Sequence, residues 1–385
     1  MDLNFGKKRQ GKRPSFLLYV LCVLPVISLI LFYSLRSNKD AMDRTAAQIS
    51  APIRGFLGFI NSVYPFSLME VLLTIVGIWA IFYIIKTIIL TIRRPAKLKF
   101  LFKRLLQIAV IALYAWTLFC WLWSCGYFAS GFAEKNGFTG KGVTEENLAS
   151  TTAMFAEKAS ELARQVNRDP DGHYIGDRRE FFNTSTSIFK NVVAEYPDLG
   201  GRLNKPKPMM FSWLMSRTGY TGVYFALTGE SNININAPLS FMPATIAHEL
   251  AHQRGVVAED EANFIGILAA VTSGYTEYEY AGYLMGYTYL SNALLRVDFQ
   301  AWEDIGVSLS DEVKIDLQDN YDYWQSQKTV NTGIVFLDNI LTSVTETVSE
   351  TVDAVYDNYL VSQNQDLGLR SYGACVDLLV EYYAK

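Results

Sequence analysis

Histidine is nearly missing from this chain: its 385 residues include three, His173, His248 and His252. Cysteine is also scarce, and Cys22, Cys120, Cys125 and Cys375 show neither CxxC spacing nor the density of a disulfide scaffold. These sulfurs read as packing residues, and a bridge between Cys125 and Cys375 would require both to face an oxidising compartment. No long basic run with interleaved aromatics occurs outside the first part of the chain, and the net charge is only -4, so nucleic acid is excluded as an expected partner. Charged residues make up 19% against 50% apolar, a balance that leans toward a membrane protein and away from disorder. No internal repeat is visible.

Long apolar runs are concentrated in the first third, at 16–35, 66–92 and about 105–128, and each has roughly the 20 residues that a helix needs to span a bilayer. A cleaved signal peptide is the rival reading of the first run, but the run is too long and no small-x-small cleavage site follows it. The N-terminal flank holds Lys7, Lys8, Arg9, Lys12 and Arg13; the link between the second and third runs holds Arg93, Arg94, Lys97, Lys99, Lys103 and Arg104. Short basic flanks stay in the cytoplasm, so three crossings place everything after about Phe128 outside it. Between the first two spans, Ile53, Phe56, Leu57 and Ile60 recur at helical spacing before Pro65, a pattern suited either to lying on the outer membrane face or to packing against the rest of the protein.

The expected organisation is therefore a three-helix anchor over residues 1–130 and an extracytoplasmic domain over 131–385, α+β but mainly helical. Thr144 with Glu145 and Glu146 reads as a helix start, and Leu148, Phe155, Leu162 and Val166 keep one face until the Asp-Pro-Asp-Gly run at 169–172. A further helix is expected from Phe181 to Tyr196. Residues 222–236 read as strand, turn at Thr228-Gly229-Glu230, and strand, a small sheet ahead of the principal motif. Beyond Asp311 the pattern returns to amphipathic helix, with Ile315 and Tyr323, then Phe336, Ile340, Val344, Val348 and Val352.

That motif is His248-Glu249-Leu250-Ala251-His252. A helix over about 244–253 puts the two imidazoles one turn apart on one face, where both can meet one ion, while Glu249 points beside it. Neutral imidazoles suit Zn2+, and a carboxylate in that position can take a proton from water attacking a polarised carbonyl. The bland alternative is a chance match between core histidines and a glutamate. Gly255 is expected to end the helix and reverse the chain.

Just beyond it, the run Glu259-Asp260-Glu261-Ala262-Asn263 resembles the gluzincins, zinc peptidases in which HExxH is completed by a Glu on a following helix, often in an ExxxD or ExxAD pattern. The resemblance implies Glu259 as third ligand and Asn263 in the place of an Asp that supports a ligand. Asn lacks the charge that would raise imidazole basicity, and the separation from the HExxH motif is shorter than in most gluzincins. A closer likeness covers nearly the whole chain. The apolar spans, Tyr224-Phe225 with Thr228-Gly229-Glu230, 248–255, 259–264 and Ser371-Tyr372-Gly373 are similar to a bacterial membrane-protein family that has HExxH and no assigned function.

Three protein ligands and one open position are the catalytic zinc pattern. Glu259, Asp260, Glu261, Glu277, Glu279 and His173 are the candidates for the third. Glu259 and Asn263 share a helix face, while Glu261 points about 200° away from Glu259; if the first helix continues past Gly255, Glu277 or Glu279 becomes the better choice. In gluzincins an edge strand pairs with extended substrate, for which 223–227 or 233–236 are candidates here. His173 and Tyr275, Tyr278, Tyr280 and Tyr283 are candidate transition-state donors, with solvated surface and aromatic packing as their ordinary roles. The expected activity is peptide hydrolysis at the cell envelope with Glu249 as general base. The alternatives are a zinc amidase acting on cell-wall peptides and an inactive zinc-stabilised sensor or scaffold. Transport is disfavoured, since Glu70 and Lys86 are the polar residues of the spans and both lie near predicted ends.

Overall fold

A computed structural model describes residues 16–93, 97–139, 143–329, helical positions scattered between 342 and 358, and 372–384. The expected amphipathic run at Phe336, Ile340, Val344, Val348 and Val352 lies outside the described residues. The described chain is mainly helical with one small sheet.

The first apolar run is α1 (Phe16–Leu35), followed by α2 (Lys39–Thr45), a π turn at Ala46–Ser50 and α3 (Ala51–Asn61). Then come α4 (Leu68–Arg93) and α5 (Lys97–Leu122), each 26 residues. At 1.5 Å per residue each is about 39 Å long, enough to cross roughly 30 Å of hydrocarbon. Among the described residues these two helices meet the length and composition of a span, not three, because the described apolar part of α1, Val20–Leu35, is shorter. The third run also differs from expectation at both ends. Lys97, Lys99 and Lys103 are good helix formers and extend α5 backward. At its other end the chain leaves the helix after Leu122 and turns through a 3-10 segment, Ser124–Phe128. This turn lets Trp123 and Tyr127 bury against Tyr224 and Val257, and Gly126 makes it fit, since a Cβ there would lie 2.7 Å from Val257.

The remaining helices build the core. After α6 (Phe132–Lys135), α7 (Glu145–Ala163) starts as expected, with the Thr144 hydroxyl accepting from the Asn147 N–H at 3.1 Å. The single helix expected over Phe181–Tyr196 is instead α8 (Arg178–Thr184), a 3-10 turn and α9 (Lys190–Glu195). Its break falls in a Thr-Ser-Thr-Ser run whose hydroxyls bond back to local carbonyls: Ser185 donates to Phe182 and Ser187 to Thr184.

Three strands follow, with a helix among them: β1 (Lys207–Pro208), α10 (Ser212–Arg217), β2 (Gly222–Phe225) and β3 (Glu230–Ile233). Sheet order is β1-β3-β2, with β3 parallel to β1 and antiparallel to β2. The expected hairpin is present, but Glu230 pairs with Phe225 inside the ladder and is not part of the turn, which closes through Gly229 at φ +67°. Beyond the sheet lie α11 (Met242–Gln253), α12 (Glu259–Val271), α13 (Thr276–Leu294), α14 (Phe299–Ser308), α15 (Asp311–Lys328) and a last described helix, Tyr372–Tyr383. Ile246, Leu250, Phe264, Leu284, Phe155 and Leu379 fill the common core of α11, α12, α13, α7 and that last helix. Cys375 belongs to this core, whereas Cys125 belongs to a separate cluster with Phe32, Met42 and Cys120. Both are free thiols, so no Cys125–Cys375 bridge forms.

Candidate metal centre

The α11 helix carries the HExxH residues, and its end brings a third group to them. Gly255, at φ +98°, closes the helix in a Schellman turn: its N–H donates to the His252 carbonyl at 3.0 Å and the Val256 N–H to that of Ala251 at 3.2 Å. The reversal starts α12 at Glu259. The Glu259 carboxylate then lies 3.4 Å from His248 Nε2 and 3.5 Å from His252 Nε2, and the two rings cross nearly edge-on with centroids 4.6 Å apart. One ligand atom from each of His248, His252 and Glu259 lies within 4.8 Å of the others, a spacing that can hold one metal ion.

Two glycines make this convergence sterically possible. A Cβ at Gly266 would come within 2.8 Å of the His248 backbone, so α12 can cross α11 this closely only because Gly266 has no side chain. On the other side, a Cβ at Gly222 of β2 would lie 2.6 Å from Glu249 Oε1. Glu249 is thus pressed between its helix and the edge of the sheet, 4% exposed, and among the described residues Oε2 has no hydrogen-bond partner. An uncompensated buried carboxylate oxygen is costly unless something polar meets it. Burial pushes Glu249 up to about 7, with the neighbouring imidazoles pulling it down less strongly.

Electrostatics joins the three converging groups. Desolvation opposes a charge on His252, but the Glu259 carboxylate outweighs it and raises the ring to about 9. Burial acts to raise Glu259, and the two imidazoles, His252 foremost, reverse this and hold it well below the ordinary carboxylate range. Glu259 is also the first residue of its helix, where the N-terminal dipole favours an anion. His252 Nδ1 is 2.7 Å from the Val256 carbonyl, which fixes the tautomer that leaves Nε2 free to bind a cation.

The other sequence candidates have different partners. Glu261 accepts from the N–H groups of Phe132 and Ala133, at 2.8 and 2.9 Å, and so caps the start of α6. Glu277 accepts from the Tyr174 hydroxyl, and Glu279 from the Gly274 N–H at 3.1 Å. Asp260 lies outside the converging set. Asn263 is buried, and its amide oxygen accepts from the Tyr289 hydroxyl at 3.3 Å; among the described contacts neither imidazole bonds to it. His173 pairs with Asp319 on an exposed loop. Tyr278 donates to the Phe181 carbonyl, Tyr280 to Asp316, Tyr275 meets Ser187, and Tyr283 packs on Phe155. Of the two candidate pairing segments, 223–227 contributes residues 223–225 to the edge strand β2 beside Glu249, whereas 233–236 shares only Ile233 with the central strand β3 and its Asn234 N–H is already bonded to the Thr221 carbonyl.

Residues with no motif around them complete the wall. Trp123 makes a T-shaped contact with His252, ring centroids 5.6 Å apart, and meets Tyr224 at a 43° tilt with centroids 5.2 Å apart. Arg54 of α3, 5% exposed, lies over both Trp123 and Tyr224. No local pattern marks them, because they reach the site only through the folding of distant segments.

A helical protein with a small sheet and a compact His-His-Glu cluster behind a Schellman turn is what fold and site define. The chain belongs to the family described as protein of unknown function (DUF3810), whose model matches residues 46–380. No curated protein and no solved structure matches it.

Proposed function

We propose that this protein is a membrane-anchored, zinc-dependent metallopeptidase of gluzincin-like construction, with His248, His252 and Glu259 as ligands, Glu249 as general base and Asn263 supporting the ligand helix through Tyr289. The observation that carries the reading is the convergence of three ligand atoms within 4.8 Å beside a buried carboxylate oxygen that has no partner among the described residues. The donor set fits the ion: two imidazoles and one carboxylate are a known catalytic zinc set, with one position left for water. Zinc held there supplies Lewis acidity and makes water a nucleophile at neutral pH.

What the chain's own groups do follows from their surroundings. Glu249, buried beside the ligands with its carboxyl pushed upward by desolvation, is placed to accept a proton from attacking water and return it to the leaving amine. The free edge of β2 can align an extended peptide beside Glu249. Trp123 and Tyr224 keep bulk water from the His252 side. The intact base also separates this reading from a structural zinc site, which needs no carboxylate beside the ligands.

The same reading places the centre outside the cytoplasm. Arg36, just past α1, lies over Phe128, just past α5, and the start of α4 bonds to the sheet through Glu230. The ends of α1 and α5 and the start of α4 thus share one level, away from the basic link at 93–104 that the cytoplasm retains. A digest of an unbiased peptide library by the purified full-length protein, with and without chelator, tests the activity. The expected result is cleavage that chelator abolishes and zinc restores; chelator-insensitive cleavage, or none with zinc bound, contradicts it.

A further inference from the structure

Two short helices near the start of α4 are inside out. In α10 the buried side chains are Ser212 and Ser216, one turn apart, while Trp213 is 59% and Leu214 48% exposed. Met210 and Phe211, immediately before it, are also exposed. The serines spend their hydroxyls inward: Ser212 donates to the Met209 carbonyl and Ser216 meets Tyr323. In α3 the buried positions are Arg54 and Gly58, and the outward ones are Ile53, Phe56, Phe59 and Ile60. Against water this distribution is reversed, since polar groups lose hydration and apolar groups keep it. It is the expected arrangement where the outer medium is itself apolar.

Both helices are locked to one bilayer entry point. Glu70, in the first turn of α4 and 3% exposed, accepts from the Met210 N–H at 2.8 Å and the Phe211 N–H at 2.7 Å. Glu230 of β3 accepts from Leu68 and Met69 at the start of the same helix. Asn61 at the end of α3 donates to the Thr228 carbonyl at 2.7 Å, and Lys207 of β1 donates to the Asn61 and Tyr64 carbonyls. The exposed apolar side chains of α3 and of 210–214 are therefore tied by these bonds to the start of α4, where it leaves the sheet. Exposed apolar side chains with a tryptophan at the level where a span begins have the chemistry of the membrane interface.

We infer that α3 and the 210–214 segment together form a bilayer-seated face, inserted into the interfacial layer of the leaflet that α4 enters, and that this face holds the metal centre at the membrane surface. Trp123, the residue after α5, already touches His252. The substrates this placement suits are polypeptides anchored in the same leaflet or emerging from it. The inference rests on the membrane-anchored reading above.

The test uses the full-length chain in lipid nanodiscs, carrying Cys22→Ser and one added cysteine labelled with an environment-sensitive fluorophore. The labelled positions are Met210→Cys, Trp213→Cys, Ile78→Cys in α4, and Val307→Cys in α14, which packs on α7 and α13. Lipids with a nitroxide near the headgroup end of the acyl chain should quench the labels at 210 and 213, with a blue shift relative to 307; the label at 78 should be quenched by a deeper nitroxide. Quenching at 78 with labels at 210 and 213 as wet as that at 307 overturns the bilayer-seated face alone. No quenching at 78 by any lipid nitroxide overturns the membrane anchor and the inference with it.

Discussion

At the scale of single residues, proton affinities give the site its testable behaviour. His252 is raised from 6.5 to about 9 by its pairing with Glu259, against desolvation. That pairing stabilises the metal-free fold fully below about pH 6.5, and the contribution is lost as pH rises through about 9. Thermal midpoints of metal-free protein should therefore fall between those limits, and Glu259→Gln should flatten the trend. Zinc needs the neutral ring, so its affinity should climb over the same range, with protons released on binding; calorimetry in buffers of different ionisation enthalpy reads this directly. If Glu249 acts as the base and is not a ligand, as proposed, Glu249→Gln should keep zinc and lose about 10² to 10⁴ in rate. Gly222→Ala would push a methyl into the space of Glu249 Oε1, which a Cβ approaches to 2.6 Å. A displaced base should lower kcat by roughly 10² while zinc content stays normal, a split that a merely unfolded variant would not show.

At the scale of elements, much of the centre is legible in the sequence, and what is hidden has a physical reason. HExxH on a helix, a glycine stop and a restart at Glu259 can each be read locally, because spacing on one helix and positive φ at a glycine are short-range facts. Gly255 should be intolerant of a side chain: Gly255→Ala should cost about 1–2 kcal/mol from the left-handed backbone alone, and zinc affinity should drop with it as Glu259 shifts. Denaturation midpoints and zinc titration check the two effects. The roles of Gly266 and Gly222 could not be read, since each glycine matters only through a neighbour far away in the chain. β1 is two residues including a proline and carries no period to detect. The second strand starts at Glu230, which the sequence pattern puts in the turn, and the Glu230 carboxylate bonds to the first turn of α4, so a residue that looks like turn chemistry is spent on a tertiary bond. The helix expected over Phe181–Tyr196 failed for a local reason, hydroxyls competing for its carbonyls.

At the scale of the whole molecule, the hydrophobic runs mark helices, two of them long and apolar enough to cross a membrane, but composition alone misplaces where the third run leaves its helix. Trp123 and Tyr127 are as apolar as the residues before them and yet pack in a cluster with Tyr224 and Val257, from which Trp123 meets His252. The long apolar helices and the His-His-Glu cluster are thus linked through Arg54, Trp123, Glu70 and Glu230. Added protease on intact cells should degrade the region after Gly131 and spare the N-terminus; the reverse pattern would invert the topology. The central claim is that His248, His252 and Glu259 hold a catalytic zinc beside Glu249. The most direct measurement is metal content of the purified full-length protein and its variants. About one zinc per chain is expected in the wild type and in Glu249→Gln, and little in His248→Ala, His252→Ala or Glu259→Ala, because the first set keeps the three-ligand site and the second does not. A wild type without zinc, or Glu259→Ala with normal zinc beside a variant of Glu277 or Glu279 that loses it, would contradict the account.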